Sequence, residues 1–394
     1  MSVNVNKEKF YEIAGLLTLA LGGFGIGLAE LCIMGLLPSI AQDFSISEST
    51  AGYLVSGYAL AVATGAILLP IIFRGSERKR LLLGLILLFI IGNAISSISS
   101  NYLVLLIGRI IAALCHGAFF SVGSVVAADL VPKNKRASAI SMMFAGLTLS
   151  NVIGTPLGTF LGQMAGWRFT FIVITLIGIL TFFGIELFIQ KLIPINNKNI
   201  KHEIIIFKNS QVWLSTLVSI FTFGGLVGPY TYIAFILTKT SKFQNSTIPW
   251  LLLLFGAGTF IGNLIGGRVA DHKLDRSLVF IISGLVVVLS FFLITAKLKV
   301  FVIICLFLWG LVGYATAPGL QIRLMNYANA APTLGAGINI AALNIGNALG
   351  AWVSGLVLSA GFTSLSPIGI GVIFNIVALI ILIISINIQR NKNI

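Results

Sequence analysis

Charged residues are scarce in this chain. They make up 9% of its 394 residues, whereas hydrophobic residues make up 57%. Soluble domains usually carry about 25% charged residues, so this composition leaves too few polar side chains to cover a water-facing surface. Acidic residues are rarer than basic ones, with 11 Asp and Glu against 25 Lys and Arg. The shortage of charge excludes an ordinary soluble protein and predicts a chain whose main solvent is lipid.

Cysteine and histidine are also sparse, with three of each. Cys32, Cys115 and Cys305 lie in separate apolar runs, and an odd number of such thiols argues against a disulfide framework. We interpret them as small apolar packing residues. The sequence contains no cluster with metal-ligand spacing, no nucleophile–base pair and no phosphate-binding loop. We therefore predict neither an enzyme nor a metal or organic cofactor.

Long apolar runs are abundant, and twelve of them reach the roughly 20 residues that span a bilayer. A spanning segment must satisfy its own backbone hydrogen bonds, so these runs predict transmembrane helices. The first run is too long for a signal peptide and is expected to be retained. The predicted spans are 13–40, 49–73, 81–99, 103–131, 138–163, 169–190, 212–237, 247–267, 278–296, 300–325, 334–360 and 366–388.

The cations are distributed unevenly between the connecting loops. If the N-terminus is placed in the cytoplasm, 19 of the 25 Lys and Arg residues fall on the inner side, 5 fall outside, and Arg109 lies within a span. The positive-inside rule then predicts a protein of the cytoplasmic membrane with both termini in the cytoplasm. Cations near anionic headgroups also explain the net charge of +14, so a nucleic-acid partner is not required.

The second half of the chain repeats the first. The stretch "AGLTLSNVIG" at 145–154 matches "AALNIGNALG" at 341–350, and Gly65 falls on Gly262 at almost the same offset. The repeat predicts an N-terminal bundle of six helices at 1–190, a cytoplasmic linker at 191–211 and a C-terminal bundle at 212–394. In the linker, "IIIF" is consistent with a membrane-surface segment or with a plain tether. Parallel repeats of six helices suggest two bundles around a central cavity, which rock to give alternating access.

Several stretches resemble the major facilitator superfamily, and within it the twelve-span drug:proton antiporter branch of arabinose-efflux and chloramphenicol-efflux permeases. "GLAELCIMGLLPSIAQDFSIS" resembles the first helix of that branch. "LLIGRIIAALCHGAFFSVGSVVAADLVP" resembles the fourth helix, with Arg109 at the buried-arginine position, and "GLTLSNVIGTPLGTFLGQMAGWRFTF" resembles the antiporter motif of the fifth helix. The resemblance covers essentially the whole chain. It implies an all-α membrane fold of two pseudo-symmetric six-helix bundles that works as a monomer.

The resemblance also implies a cytoplasmic gate. "GGRVADHKLDR" resembles the second-half copy of the family's loop motif, with Gly267 and Asp271 in place. The first-half copy, "PIIFRGSERKR", has Pro70 and Arg74 where the family has glycine and aspartate, and keeps Arg78 and Lys79. We expect Asp129 to pair with Arg74, Arg80 or Arg136 instead.

Three ionisable residues lie well inside the predicted spans: Glu30, Arg109 and His116. A charge at the bilayer centre costs roughly 2.5–3.5 kcal/mol on insertion scales, so each is a functional candidate. We interpret Glu30 as a proton site and Arg109 as its modulator. A static pair bracing spans 1 and 4, or contact of Glu30 with a cationic substrate, are the alternatives. His116 is either a proton relay or substrate contact or, as we favour, a neutral hydrogen-bonded residue of the cavity wall.

Small residues recur four apart in two spans. The antiporter motif holds Gly154, Gly158 and Gly162, with Gly146 and Pro156 beside them, and span 8 holds Gly258, Gly262 and Gly266. Such spacing lets helix backbones approach closely. In the superfamily these two helices meet between the bundles. We therefore expect a close helix contact, the rocking seam, at which the bundles move against each other without leaking protons. Ordinary membrane packing is the alternative.

The superfamily lines its cavity with spans 1, 4, 7 and 10. Candidate substrate-cavity residues are Phe24, Phe119, Phe120, Asn151, Tyr230, Trp309, Tyr314 and Asn347. We predict proton-coupled efflux of a small amphipathic drug-like compound or metabolite, with the proton gradient as energy source. The alternative is a sugar, nucleoside or other metabolite exporter or facilitator of the same fold. The expected partners are a small-molecule substrate, protons and the lipid bilayer.

Overall fold

The computed structural model describes residues 2–73, 76–132, 136–190, 204–328 and 332–392, and within these ranges it is all-helical. Among the residues described, eleven helical stretches are long and apolar enough to cross a membrane. A further helix of 25 residues coincides with the second predicted span, 49–73. The helices are α1 Ser2–Asp43, α2 Glu48–Ile72, α3 Arg78–Ser97, α4 Tyr102–Asp129, α5 Arg136–Leu149, α6 Thr155–Ala165, α7 Trp167–Phe188, α8 Ser210–Thr231, α9 Ile248–Thr295, α10 Lys299–Tyr314, α11 Thr316–Tyr327, α12 Pro332–Ser359 and α13 Ser366–Lys392.

The helix ends follow local sequence signals. Asn101 precedes α4, and its side-chain oxygen accepts a hydrogen bond of 3.0 Å from the Val104 N–H. Asn209 caps α8 in the same way through the Gln211 N–H. Each cap satisfies one of the backbone donors that the first helical turn leaves unpaired.

The fifth span is interrupted at its centre. A π-turn at Ser150–Gly154 separates α5 from α6, which has Pro156 in its first turn. Proline has no N–H to donate and its ring crowds the carbonyl four residues earlier, so a regular α-helix cannot continue through this point. The π-turn is the local distortion that accommodates it.

Spans 8 and 9 are joined by helix instead of the expected loop. The helix α9 is continuous from Ile248 to Thr295. The Ser277 hydroxyl nevertheless donates to the Val269 carbonyl at 3.1 Å. Residues eight apart in a straight helix are separated by roughly 12 Å along the axis, so the chain must bend sharply here. α9 therefore contributes two spans, Asn245–Val269 and Leu274–Thr295.

Backbone contacts divide the chain into two compact units. The first unit contains α1 up to Cys32 and the chain from Ala61 through α7, and the second contains Ile33–Leu60 together with α8 to α13. The loop-proximal parts of α1 and α2 thus pack with the second half of the sequence. Within the second unit Glu48 forms an ion pair with Lys239, and the Tyr232 hydroxyl donates to the Ala351 carbonyl at 3.1 Å. The division into bundles 1–190 and 212–394 stays a prediction.

The two units contain matching helix contacts. A Cβ added at Gly65 would overlap the carbonyl oxygen of Leu114, and one added at Gly262 would overlap that of Leu311. Both members of the second pair lie 197 positions after those of the first. Sequence offset and helix packing therefore agree on the internal repeat.

Only part of the predicted linker 191–211 lies within the described residues. Ile204–Lys208 forms a 3-10 turn in which Ile206 is buried against Val212, Leu324 and Ala328. The neighbouring Phe207 is exposed, and its carbonyl accepts a 2.9 Å hydrogen bond from the Trp213 indole. The apolar "IIIF" stretch is thus anchored on α8 and α11 through Ile206.

Candidate functional site

The strongest concentration of membrane-embedded charge lies where α1 and α4 meet. Glu30 Oε2 is 3.9 Å from Nδ1 of His116. The His116 side chain is buried, whereas that of Glu30 keeps 21% of its surface exposed. An ionisable pair at this depth is expensive unless it has a function or a compensating partner. The Glu30–His116 pair is therefore a candidate functional site.

Arg109 reaches the same turn of α1 from the buried side. Its guanidinium donates a hydrogen bond to the carbonyl oxygen of Ala29, the residue that precedes Glu30. Arg109 is 1% exposed, and it lies two helical turns from His116 on α4. Arg109 therefore contacts the residue next to Glu30, and His116 lies near the Glu30 carboxylate. Their roles in proton coupling stay a prediction.

A row of aromatic side chains begins beside His116 in the first unit. Phe120 lies 5.4 Å from the His116 ring and stacks on Phe144 at 5.1 Å between ring centroids. Phe119 contacts Phe120 edge to face and is fully buried, whereas Phe24 is half-buried. Phe144 was not among the predicted cavity residues, because its place on the fifth span carries no signal beyond a general apolar pattern.

A second aromatic cluster lies in the second unit. Tyr230 stacks on Phe255 with 3.9 Å between ring centroids, and both rings meet Trp309 edge to face. Tyr314 joins through Phe255 at 6.4 Å. The structure therefore brings Tyr230, Trp309 and Tyr314 into one cluster, and their role in a substrate cavity stays a prediction. Phe255 connects them and was missed, because it belongs to the eighth span rather than to spans 7 or 10.

Several buried polar atoms of the second unit lack a hydrogen-bond partner among the described residues. They include Nε1 of Trp309 and the Oδ1 atoms of Asn344 and Asn347. A buried polar group without a partner is costly, so such atoms are candidates for contact with water or a ligand. The side chain of Asn151, the corresponding candidate of the fifth span, lies outside the described residues.

The glycines of the antiporter motif pack on α1 within the first unit. A Cβ at Gly146 would overlap the Ala20 carbonyl, and one at Gly158 would come within 2.5 Å of the Cys32 Cβ. Gly154 faces Leu28, and Pro156 and Gly162 are buried in α6. The second-half triplet Gly258, Gly262 and Gly266 packs on Phe307, Leu311 and Ala315 of the span formed by α10 and α11.

These contacts lie inside each unit and do not test the expected seam between the halves. For each glycine whose surroundings are described, the nearest atoms belong to a helix of the same unit. The physical reason is that parallel helices inside one unit approach so closely that a Cβ has no space. The contacts agree with the alternative of intra-bundle packing and leave the rocking seam as a prediction.

The expected cytoplasmic gate is only partly as predicted. Asp129 pairs with Arg78, which the loop motif retains, and not with Arg80, which pairs with Glu77 at 3.1 Å. The helical start of α3 orients Arg78 toward the end of α4, whereas Arg80 points back along its own first turn. Lys79 binds Glu186 through the carboxylate at 3.3 Å and the backbone carbonyl at 2.7 Å.

Other gate candidates carry less structural information. Arg74 lies outside the described residues, as do the side chains of Pro70, Arg136 and Asp271. Gly267 is described, and a Cβ there would meet nothing within 4 Å.

A buried arginine of the second unit was not among the predicted site residues. Arg323 is 1% exposed and donates at 2.7 Å to Asp275, to the Ser215 hydroxyl and to the Ser385 hydroxyl. Gln211 extends the network by donating to the Ser385 carbonyl at 3.1 Å. A cation inside the predicted span 300–325 is a sequence signal for a buried charge. The charge distribution instead places Arg323 among the 19 cations of the inner side, because it lies near the end of that span.

Comparison with known proteins places this arrangement in a family. Residues 19–330 match the sequence model of the Major Facilitator Superfamily. The chain is 38% identical over 346 residues to the inner membrane transport protein YdhP of Escherichia coli (strain K12), covering 88% of this chain and 89% of that protein.

More distant relatives carry names of efflux proteins. The chloramphenicol resistance protein of Streptomyces lividans is 29% identical, covering 92% of this chain and 94% of the relative. A probable sugar efflux transporter of Helicobacter pylori (strain G27) is 28% identical, covering 90% and 91% respectively.

The fold comparison agrees with the sequence comparison. A crystal structure of a D-xylose–proton symporter superposes with a TM-score of 0.76 at 15% identity, covering 94% of this chain and 97% of that one. At this identity the likeness supports the fold alone. The expected family and fold class are confirmed. The chain belongs to the Major Facilitator Superfamily and is a multi-pass membrane transporter of that family.

Proposed function

We propose that this transporter exports a small amphipathic drug-like compound or metabolite in exchange for protons by alternating access. The observation that carries the proposal is the Glu30 carboxylate, which stands inside a membrane span, part-exposed and 3.9 Å from His116. A group with these properties is rare in a membrane helix and marks a proton pathway by default. The names of the chloramphenicol and sugar efflux relatives support export as the direction.

The coupling follows from the unfavourable energy of a charge in the membrane. Protonation of Glu30 removes a negative charge beside Arg109 and His116, and it therefore changes the balance between conformations that bury or expose the carboxylate. A substrate that favours the deprotonated conformation would be exchanged for the proton. Arg109 holds the adjacent Ala29 carbonyl and keeps the acid within reach of α4.

The remaining parts of the proposal concern setting and energy. The proton gradient supplies the energy, and no cofactor or chemical reaction is proposed. The uneven distribution of Lys and Arg supports a cytoplasmic-membrane protein with both termini in the cytoplasm. We propose the monomer as the working unit.

Proteoliposomes with an imposed pH gradient test the proposal, with radiolabelled chloramphenicol as the first probe. We expect the wild-type protein to concentrate the probe against its gradient while the pH gradient dissipates. Glu30→Gln should abolish this concentration, because a neutral amide cannot exchange a proton. Glu12→Gln, on the same helix, is the matched control and should transport normally. Uphill transport by Glu30→Gln at the wild-type level would disprove the coupling role.

A sugar or other polar metabolite is the second candidate substrate. The supporting observation is a buried chain of polar side chains in the second unit. Ser219 donates to Asn339 at 2.7 Å, and Asn339 donates to Gln321 at 2.7 Å. Such amides suit the hydroxyl groups of a sugar, whereas the aromatic cluster suits an apolar compound. Uptake of L-arabinose by the same proteoliposomes, without uptake of chloramphenicol, would favour this candidate.

A further inference from the structure

The turn of α1 that carries Glu30 is held by the fifth span as well as by Arg109. Gly23, Gly27 and Glu30 follow each other at intervals of four and three residues, so they lie on one stripe of the helix. The Ser150 side chain projects into the space where Gly27 lacks a Cβ. A Cβ there would overlap the Ser150 hydroxyl and lie 2.7 Å from Leu147 Cδ1. We call this space the Gly27 notch.

Ser150 is well placed to act as a fixed element. It is fully buried, and its hydroxyl donates to the Leu147 carbonyl at 2.7 Å, which fixes the side-chain rotamer. It is also the first residue of the π-turn Ser150–Gly154. Turns of this kind are the adjustable points of a helix and occur frequently at functional sites. Ser150 thus links the one irregular turn of the fifth span to the helix that carries the acid.

We propose that Ser150 is a positioning residue for Glu30. By occupying the Gly27 notch, it sets the axial position of α1 against the fifth span, while Arg109 holds Ala29 from α4. Together the two contacts determine where the Glu30 carboxylate stands relative to His116. A movement of the π-turn is thereby transmitted to the acid over a single helical turn. This inference rests on the proposed role of Glu30 in proton exchange.

Titration of Glu30 in the substrate-free protein is the direct test. The full chain is reconstituted in proteoliposomes with isotope-labelled glutamate, and the infrared band of the protonated carboxyl is followed against pH. The band is assigned by its loss in Glu30→Gln. The charged and titratable groups around Glu30 in the described part of the chain are Arg109 and His116 of α4 and the Cys32 thiol of α1, and none of them is changed.

Gly27→Ala should displace α1 and move the midpoint of the Glu30 titration by about tenfold in proton affinity, as expected for overpacking at a close contact. Ser150→Ala in the same chain removes the overlapping oxygen, and the double variant should return to within about threefold of wild type. Gly84→Ala on α3 is the matched control, because a Cβ there meets nothing within 4 Å. Its midpoint should equal that of wild type.

Three outcomes would overturn the inference: an unchanged midpoint in Gly27→Ala, a shift that Ser150→Ala does not reverse, or an equal shift in Gly84→Ala. If Gly27→Ala does not fold, Ser150→Cys, which enlarges the atom in the notch, must shift the midpoint while Gly84→Ala does not. The result is separable from the proposed function. Uphill transport by Glu30→Gln would disprove the coupling role of Glu30 and would not affect the titration result. An unchanged titration midpoint of Glu30 in Gly27→Ala would disprove only the positioning role of Ser150.

Discussion

The two units of this transporter share a packing frame and differ in the chemistry placed on it. In the first unit Gly65 packs on Leu114 and Gly154 on Leu28, and in the second unit Gly262 packs on Leu311 and Gly350 on Gly224. The buried groups on these frames are unlike each other. The first unit has Glu30 and Arg109 near His116 and its neighbouring ring Phe120, whereas the stacked rings Tyr230 and Phe255 of the second unit contact Trp309.

The ion pairs at the expected cytoplasmic ends sharpen this contrast. Arg78 pairs with Asp129 in the first unit, and Asp275 pairs with Arg323 in the second. Asp275 lies 197 positions after Arg78, so the second unit has an acid where the first has a base, whereas Arg323 lies 194 positions after Asp129, about one helical turn from the matching position. The burial differs as well, since the Arg78 side chain is 18% exposed and that of Arg323 is 1% exposed. The close glycine contacts between helices are thus alike in the two units, whereas the charged groups differ.

The largest effect is expected at Arg323, the buried member of the ion pair in the second unit. Arg323→Ala should lower the free energy of unfolding by about 3 kcal/mol, because Asp275 and two serine hydroxyls lose their shared partner inside the protein. Thermal unfolding in detergent measures the loss. Asp275→Asn is the comparison variant, since it keeps a hydrogen-bond acceptor for Arg323 and should cost less. Equal losses of unfolding free energy in Arg323→Ala and Arg78→Ala would show that the ion pairs of the two units contribute equally, contrary to this prediction.

Alanine at the matching glycines tests whether the packing frame is equivalent in both units. Gly65→Ala and Gly262→Ala should each cost about 1–3 kcal/mol, because the added methyl group meets a backbone carbonyl that cannot rotate away. Gly84→Ala and Gly267→Ala meet open space and serve as controls for the helix propensity of alanine. A large loss at only one member of the first pair would show that the frames are not equivalent.

The aromatic cluster of the second unit is expected to contribute to substrate binding by a moderate amount. Trp309→Phe keeps the ring packing and removes the indole N–H, which has no partner in the described structure. If that donor binds the substrate, chloramphenicol affinity should fall by about fivefold, corresponding to one hydrogen bond of about 1 kcal/mol. Trp250→Phe, on the exposed face of α9, is the matched control. Equal chloramphenicol affinities of wild type and Trp309→Phe would show that the indole N–H does not bind this substrate and that Trp309 serves only in packing.

The smallest effect is expected at the pair of the first unit. Arg78→Ala should change the free energy of unfolding by about 1 kcal/mol or less, since both side chains are partly solvated and surface pairs contribute little. Raised salt should reduce the difference between Arg78→Ala and wild type further. A loss that persists at high salt would contradict the assignment of a solvent-screened pair.

Much of the architecture was predictable because lipid imposes a simple rule on sequence. Runs of about 20 apolar residues must form helices, and the predicted span 103–131 corresponds to α4 at Tyr102–Asp129. The prediction was wrong where backbone behaviour depends on more than hydropathy. The segment between spans 8 and 9 remains helical through its bend. Asp129 also pairs with Arg78, which the loop composition did not indicate, and its pairing with Arg74 or Arg136 stays a prediction.

The sequence by itself determined the membrane class and most helix positions, because hydrophobic length and charge distribution act locally along the chain. The family was indicated by the resemblance of whole motifs rather than by these local patterns. The sequence also singled out Glu30, Arg109 and His116, since a charge in an apolar run is visible without coordinates. Only the tertiary structure decided which distant groups meet: Ser150 in the Gly27 notch, Phe255 between Tyr230 and Trp309, and Arg323 among two serines and Asp275. These contacts depend on helix rotation and axial position, which neither hydropathy nor spacing specifies.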